Sequence, residues 1–212
     1  MVGVSVLPVC IHNGELLFLF GKEVSVENEI QGYSDFGGGR EKDESTFDGA
    51  IREGCEELTG FYGNEQQLRE KIAKAGGTYD VKYDLSETNK YFVHIFLTEY
   101  DKNLPTYFEN NHKYLYEKMD NDLLKKTKMF EKIELKWFTV SMMRKQTNTF
   151  RVFYRSILKL IFKELPQIKD FLFKNSQRSK QIKRRSTRRT RTTRREYKKQ
   201  FETIKNVTEV EI

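Results

Sequence analysis

The hydrophobic and polar positions along the chain predict strands mixed with helices. Two apolar runs, 2–11 and 15–22, flank Asn13-Gly14, a pair typical of a tight β-hairpin turn. Residues 31–36 predict a short strand or a loop. Further β-branched and aromatic runs predict strands at 78–83, 90–100 and 133–140. This alternation indicates an α/β layered domain.

Four segments predict helices. The first is 46–58, where Ser45 and Asp48 have the spacing of a capping box and Gly60 suits the end. The others are 65–75, parts of 104–130, and 147–165, which carries an apolar stripe. Pro166 is expected to end the last of these, with at most a turn or two of helix at 168–173.

Charge divides the 212 residues unequally. Residues 178–199 hold 12 Lys or Arg and one acid, so the other 190 residues carry a net charge of −4 although the chain carries +7. We expect one domain at 1–175 and a basic, flexible tail at 176–212. The tail favours RNA or DNA contact, with a nuclear localisation signal or a solvated tail as alternatives.

The composition indicates in which cellular compartment the protein is located. Cys10 and Cys55 are too few for a disulfide framework and are expected to be buried apolar fillers, which indicates an intracellular, reducing compartment. Apolar runs are too short to span a membrane, and 1–11 has no basic segment typical of a signal peptide. The expected location is cytoplasmic, or nuclear if the tail directs it there.

An acidic helix face carries the strongest chemical signal. At 100° per residue, Glu53, Glu56 and Glu57 fall within an arc of about 100°. Three carboxylates on one patch are unfavourable unless water screens them or a cation neutralises them. Their oxygens suit Mg²⁺ or Mn²⁺, which would bind a phosphate chain. The alternative is an exposed acidic face.

The spacing of this segment resembles the Nudix box, G-x5-E-x7-R-E-U-x-E-E-x-G-U, where U is a bulky aliphatic residue. Six fixed positions match, with a chance frequency of about one in 10⁵: Gly38, Glu44, Arg52, Glu53, Glu56 and Glu57. Two positions depart from the pattern. Gly54 replaces an aliphatic residue, which indicates close packing, and Thr59 replaces a glycine, which puts the end of the helix in doubt.

The resemblance implies an α/β/α sandwich with a mixed sheet over about 1–165. It also implies a metal-dependent pyrophosphohydrolase that cleaves a nucleoside diphosphate linked to a group X. Glu131 and Trp137 match a later family segment. The pattern is also similar, less specifically, to Nudix proteins of large DNA viruses, which would place the protein in the host cytoplasm or virus factory.

The resemblance also implies roles for single residues. Glu53, Glu56 and Glu57 would be metal ligands together with a carbonyl of Gly37 or Gly38. Arg52 and Glu44 would pair with and orient these acids, with a direct phosphate contact from Arg52 as the lesser alternative. Glu131, then Glu99, are the candidates for a further acid that acts as ligand or general base, and Glu57 stays a candidate base.

Substrate contacts are expected from Arg40 after the glycines and from Phe61 beside the box, with a loop charge and core packing as the respective alternatives. The basic tail favours a capped RNA 5′ end as substrate, as in Nudix decapping enzymes. The alternatives are small nucleotides, dinucleoside polyphosphates or inositol pyrophosphates, and a non-catalytic RNA-binding Nudix module. Nothing in the sequence indicates the oligomeric state.

Overall fold

The computed structural model describes residues 2–23, 32–120, 122–123, 131–178 and 181. Seven strands of these residues form one sheet: β1 Val2–His12, β2 Glu15–Glu23, β3 Tyr33–Ser34, β4 Phe36–Gly39, β5 Thr78–Asp84, β6 Lys90–Leu97 and β7 Lys132–Thr139. The sheet order is β3-β2-β1-β6-β5, with β4 also paired to β1 and β7 to β2. Only β1 and β6 pair in parallel among these strands, so the sheet is mixed.

The described helices are α1 Thr46–Glu57, α2 Glu65–Lys74, α3 Leu104–Lys118, α4 Val140–Lys145 and α5 Tyr154–Lys163, and residues 165–178 are also helical. Within the described part of the chain, no helix has both the length and the apolar character needed to cross a membrane. The predicted basic tail lies outside the described residues apart from 176–178, which continue the helical segment, and position 181.

The helices cover both faces of the sheet because the strand side chains alternate with period two. Val4, Val6 and Cys10 of β1 face α1, α2 and α3 in one buried apolar cluster. Leu7 and Val9 face α4, α5 and the 165–178 segment in another. This arrangement confirms the predicted α/β/α sandwich with a mixed sheet.

Local turn and cap chemistry matches the sequence at two places. Asn13 and Gly14 both have positive φ, at 50° and 81°, and join His12 to Glu15 as the predicted hairpin turn. At α1, the Ser45 hydroxyl accepts the Asp48 amide hydrogen bond at 3.0 Å. The predicted capping box is incomplete, however, because the Asp48 carboxylate accepts the Ser45 hydroxyl at 2.6 Å instead of a backbone N–H.

The prediction of a helix over 147–165 was wrong at its start. Thr147–Thr149 form a 3-10 turn, and Phe150 is extended at φ −88° and ψ 151°. Phe150 forms an isolated parallel bridge with Tyr33, so α5 begins only at Tyr154. The chain becomes helical again at 165, and this helix is longer than predicted because Pro166 lies in its first turn, where its missing N–H has no cost.

Candidate functional site

Strand β4 brings the glycines of the box between β1 and α1. Gly37 and Gly38 pair with Ser5 and Val4. A Cβ atom at Gly37 would lie 2.1 Å from the Val4 carbonyl oxygen, and one at Gly38 would lie 2.6 Å from Oε2 of Glu53. Glycine is therefore required for the strand backbone to approach a box carboxylate this closely.

Arg52 connects the two ends of the box. Its Nε and Nη2 donate to the two carboxylate oxygens of Glu44 at 2.7 and 3.1 Å, and Nη1 donates to Glu53 at 2.7 Å. Nη2 also donates to the Gly39 carbonyl, and Glu56 lies 3.6 Å from Nη1. The Arg52 hydrogen bonds lower the pKa of the Glu44 carboxyl. This fork has the geometry of an orienting group for the box acids.

Glu57 is the most enclosed of the box acids. The Gly37 N–H donates to its Oε2 at 2.8 Å, and Nζ of Lys132 lies 3.4 Å from its Oε1. The pKa of Glu57 is raised to about 8, mainly by burial and in smaller part by the charges of Glu23 and Glu131, while the Lys132 ammonium and the Gly37 N–H act in the opposite direction. Glu57 is therefore held by one backbone donor and one buried cation.

Lys132 itself is completely buried, which the sequence did not predict. Its ammonium donates to Glu23 and to Ser34 Oγ, both at 2.8 Å. Arg151 also binds Glu23, at 2.5 Å. Gly21 makes room for the lysine stem, because a Cβ atom there would lie 2.9 Å from Cδ of Lys132. A glycine inside a strand was the one sequence signal for such a close approach.

A second buried polar group, also unpredicted, adjoins the glycines. Asp35 is fully buried and accepts hydrogen bonds from the Ser5 hydroxyl at 2.5 Å and the Tyr91 hydroxyl at 2.7 Å. Burial raises the pKa of Asp35 to about 6. This carboxyl holds β4 against β1 and β6 immediately before the glycines.

The three predicted metal ligands all belong to α1, and each lies near a protein cation. Glu53 and Glu56 lie beside Arg52, and Glu57 lies beside Lys132. Within the described ranges, no three His, Cys, Asp or Glu side chains are grouped to hold a metal ion together. The donor chemistry nevertheless fits Mg²⁺ or Mn²⁺, because all three side chains offer hard oxygens beside a glycine backbone.

Glu131, the first candidate for the further acid, lies at this end of the sheet. It is exposed, directly precedes Lys132 in β7, and its charge raises the pKa of Glu57. Glu131 therefore lies within electrostatic range of Glu57, and its role as ligand or base stays a prediction.

Glu99, the second candidate, lies two residues beyond the end of β6 at Leu97. Gly37 pairs with Ser5, and Ser5 pairs with Val93 of β6. Glu99 follows six residues after Val93, which places it about 20 Å further along at 3.3 Å per residue. The role of Glu99 as ligand or general base stays a prediction.

The predicted substrate contacts have protein partners in this structure. The Arg40 guanidinium donates to the Glu44 carbonyl, and the Arg40 N–H donates to the Val2 carbonyl at 2.9 Å. The Phe61 ring lies 5.7 Å from that of Phe108 and packs against the apolar cluster of the α1 face. These contacts agree with the structural alternatives for both residues, and binding of substrate by either stays a prediction.

The chain matches no protein-family model and no curated protein sequence. Solved structures resemble it at low identity. The Nudix domain of Shewanella oneidensis NrtR, complexed with ADP-ribose, has a TM-score of 0.43 and 11% identity over 78% of this chain and 88% of that one. A Caenorhabditis elegans Ap4A hydrolase has a TM-score of 0.42 and 13% identity over 78% and 98% of the two chains.

A MutT protein from Methanosarcina mazei has a TM-score of 0.42 and 20% identity over 77% of this chain and 94% of that one. The NrtR structure is a Nudix domain, the superfamily that the box resembles.

Proposed function

We propose that this protein is a metal-dependent Nudix pyrophosphohydrolase that cleaves a nucleoside diphosphate from a linked group X. The observation that carries the proposal is the arrangement around Arg52. One guanidinium joins Glu44 to Glu53, and a Cβ atom at Gly38 would lie only 2.6 Å from Oε2 of Glu53. Residues separated by up to 15 positions thus meet in the pairing that the box pattern implies.

Glu53, Glu56 and Glu57 would hold Mg²⁺ or Mn²⁺ together with the carbonyl of Gly37 or Gly38. A bound divalent ion supplies positive charge for the pyrophosphate oxygens and lowers the pKa of a bound water. The other protein groups hold these carboxylates in position. Arg52 keeps Glu53 in place, and the Gly37 N–H keeps Glu57 in place. Glu131 is the proposed proton acceptor, since it lies near Glu57 and is exposed.

The proposed substrate is a capped RNA 5′ end. The 12 Lys or Arg of 178–199 support this choice, because such a segment binds phosphate backbones regardless of sequence and an enzyme for free nucleotides does not need it. A hydrolase of small nucleotides, dinucleoside polyphosphates or inositol pyrophosphates is the alternative.

Hydrolysis of cap-labelled RNA, free cap dinucleotide, a dinucleoside polyphosphate and an inositol pyrophosphate, each with Mg²⁺ and Mn²⁺, tests the proposal. The full chain is compared with Glu56→Gln and with a full chain whose Lys and Arg at 178–199 are replaced by Gln. We expect labelled nucleoside diphosphate to be released from RNA, with Glu56→Gln inactive. The substituted tail and added salt should each weaken the turnover of RNA and leave the turnover of the small substrates unchanged.

Turnover of the small substrates only, unaffected by the tail, would assign the chain to the alternative class. Full activity in Glu56→Gln would contradict the metal site. RNA binding with no hydrolysis of any substrate would favour a non-catalytic module.

A further inference from the structure

The buried ammonium of Lys132 is the least expected charge in the described structure. Its side chain has no exposed surface, although moving an ammonium out of water is costly unless partners replace the water. The structure supplies three partners: Glu23 and Ser34 at 2.8 Å and Glu57 at 3.4 Å. Glu23 and Ser34 anchor the ammonium, and Glu57 is one of the box acids.

The position of this ammonium is set by the sheet. Lys132 pairs with Glu23 where β7 meets β2, and Gly21 provides the space for the lysine stem. Arg151, which lies just before α5, binds the same Glu23 carboxylate. Neither the lysine nor its anchor therefore has the freedom of a surface side chain.

The two oxygens of the Glu57 carboxylate have different partners. Lys132 lies against one carboxylate oxygen, and the Gly37 N–H donates to the other at 2.8 Å. Two contacts on opposite oxygens define the orientation of the carboxylate group. Glu53 and Glu56 differ, because they share a guanidinium whose side chain is 16% exposed.

We propose that Lys132 is a positioning residue of this site: anchored by Glu23 and Ser34, its ammonium holds the Glu57 carboxylate against the Gly37 backbone. The inference rests on the proposed function for its effect on turnover, but not for the contact itself. Groups that orient a ligating carboxylate typically change metal affinity or activity by about 10- to 100-fold when removed.

A purely structural role predicts something different. If Lys132 only neutralises buried carboxylates, removal of one carboxylate together with the lysine restores both folding and the site. The double variant Lys132→Met/Glu23→Gln removes the lysine and one carboxylate. The single variant Glu23→Gln is the milder change, because it removes one anchor and keeps the lysine. Lys136→Met is the matched control, since Lys136 lies on the same strand and contacts the rings of Tyr33 and Phe138 instead of the box.

The first test needs neither metal nor substrate. The Gly37 amide proton of the full chain is followed by ¹⁵N-resolved NMR for its chemical shift and exchange rate. We expect an upfield shift and about tenfold faster exchange in Lys132→Met/Glu23→Gln, the factor given by loss of a typical hydrogen bond. Glu23→Gln should move the same signal less, and Lys136→Met should leave it unchanged. An unchanged Gly37 signal in both site variants would overturn the proposal.

The second test measures Mn²⁺ affinity by calorimetry and separates kcat from KM. The folded double variant should bind Mn²⁺ and turn over substrate about 10- to 100-fold less well, with KM nearly unchanged. Wild-type values in that variant would overturn the proposal. A wild-type chain that hydrolyses none of the substrates refutes the proposed function instead, and the Gly37 signal still decides the role of Lys132.

Discussion

Gly54 lies against Val6 so closely that a Cβ atom on Gly54 would stand 2.4 Å from Cγ2 of the valine. The contact joins the middle of α1 to β1, and both residues are buried. It explains why glycine occupies a box position that the family pattern gives to an aliphatic residue. The predicted close packing at Gly54 is confirmed.

Gly54→Ala should therefore destabilise the protein although alanine is the better helix former. The helix gains about 1 kcal/mol from the exchange, whereas overpacking against a stiff, buried valine costs about 1–3 kcal/mol. We expect a net loss of about 1 kcal/mol in urea unfolding. Gly39→Ala is the control, because nothing lies within 4 Å of a Cβ atom there. A Gly54→Ala protein more stable than wild type would show that β1 can move away from α1.

Thr59 lies in the left-handed region at φ 47°, at the position where the family pattern has glycine. Helix α1 ends at Glu57, and the chain turns through Thr59 and Gly60, both with positive φ. A β-branched residue is strained there, at about 1–2 kcal/mol, while glycine loses more entropy on folding. Thr59→Gly should raise the free energy of unfolding by about 0.5–1 kcal/mol.

Thermal and urea unfolding of Thr59→Gly, compared with Thr106→Gly, measure this effect. Thr106 is exposed within α3, where glycine should cost some tenths of a kcal/mol instead. Equal losses in the two variants would mean that Thr59 carries no strain.

Cys10 should be unreactive in the native protein. Burial raises its pKa to about 12 from 9.0, so at pH 8 the thiolate fraction is about 1000-fold lower than for an unperturbed thiol. Because the pKa lies above the measuring range, the alkylation rate should rise about tenfold per pH unit from 7 to 10. The measurement is iodoacetamide labelling of a Cys55→Ser protein, with the unfolded protein as reference. Labelling at the unfolded rate would place Cys10 outside the core.

The hydrophobic pattern was sufficient for most of the sheet because strand residues such as Val4 and Val9 face different buried clusters. It failed at Phe150, which belongs to an apolar stripe of helical spacing but is extended. Phe150 packs with the rings of Phe20 and Phe138, at 5.0 and 5.1 Å, and bridges to Tyr33. Contacts between distant residues decide the conformation there, and helical periodicity does not contain them.

The same contrast between local spacing and contacts of distant residues applies to the candidate site. Arg52 and Glu44 are eight positions apart, and their pairing could be read from a local spacing. Lys132 and Glu23 are 109 positions apart, and a lysine is expected at the surface by default. The distance of Glu99 from the box acids likewise depends on strand length and register, which follow from the assembled sheet.

Arg52→Lys should reduce turnover by about 10- to 100-fold while leaving the protein folded. Lysine keeps the charge, but it cannot donate to both oxygens of Glu44 and to Glu53 at once, as the guanidinium does. Since Glu53 is the acid that loses its partner, the Mn²⁺ concentration giving half-maximal rate should rise together with the fall in kcat.

Arg69→Lys is the matched control for this prediction. Arg69 also binds a carboxylate of α1, that of Asp48 at 2.7 Å, but at the start of the helix and away from the box acids. Its substitution should leave turnover and Mn²⁺ dependence unchanged. An Arg52→Lys protein with wild-type kcat would show that charge alone, without the fork geometry, keeps Glu53 in place.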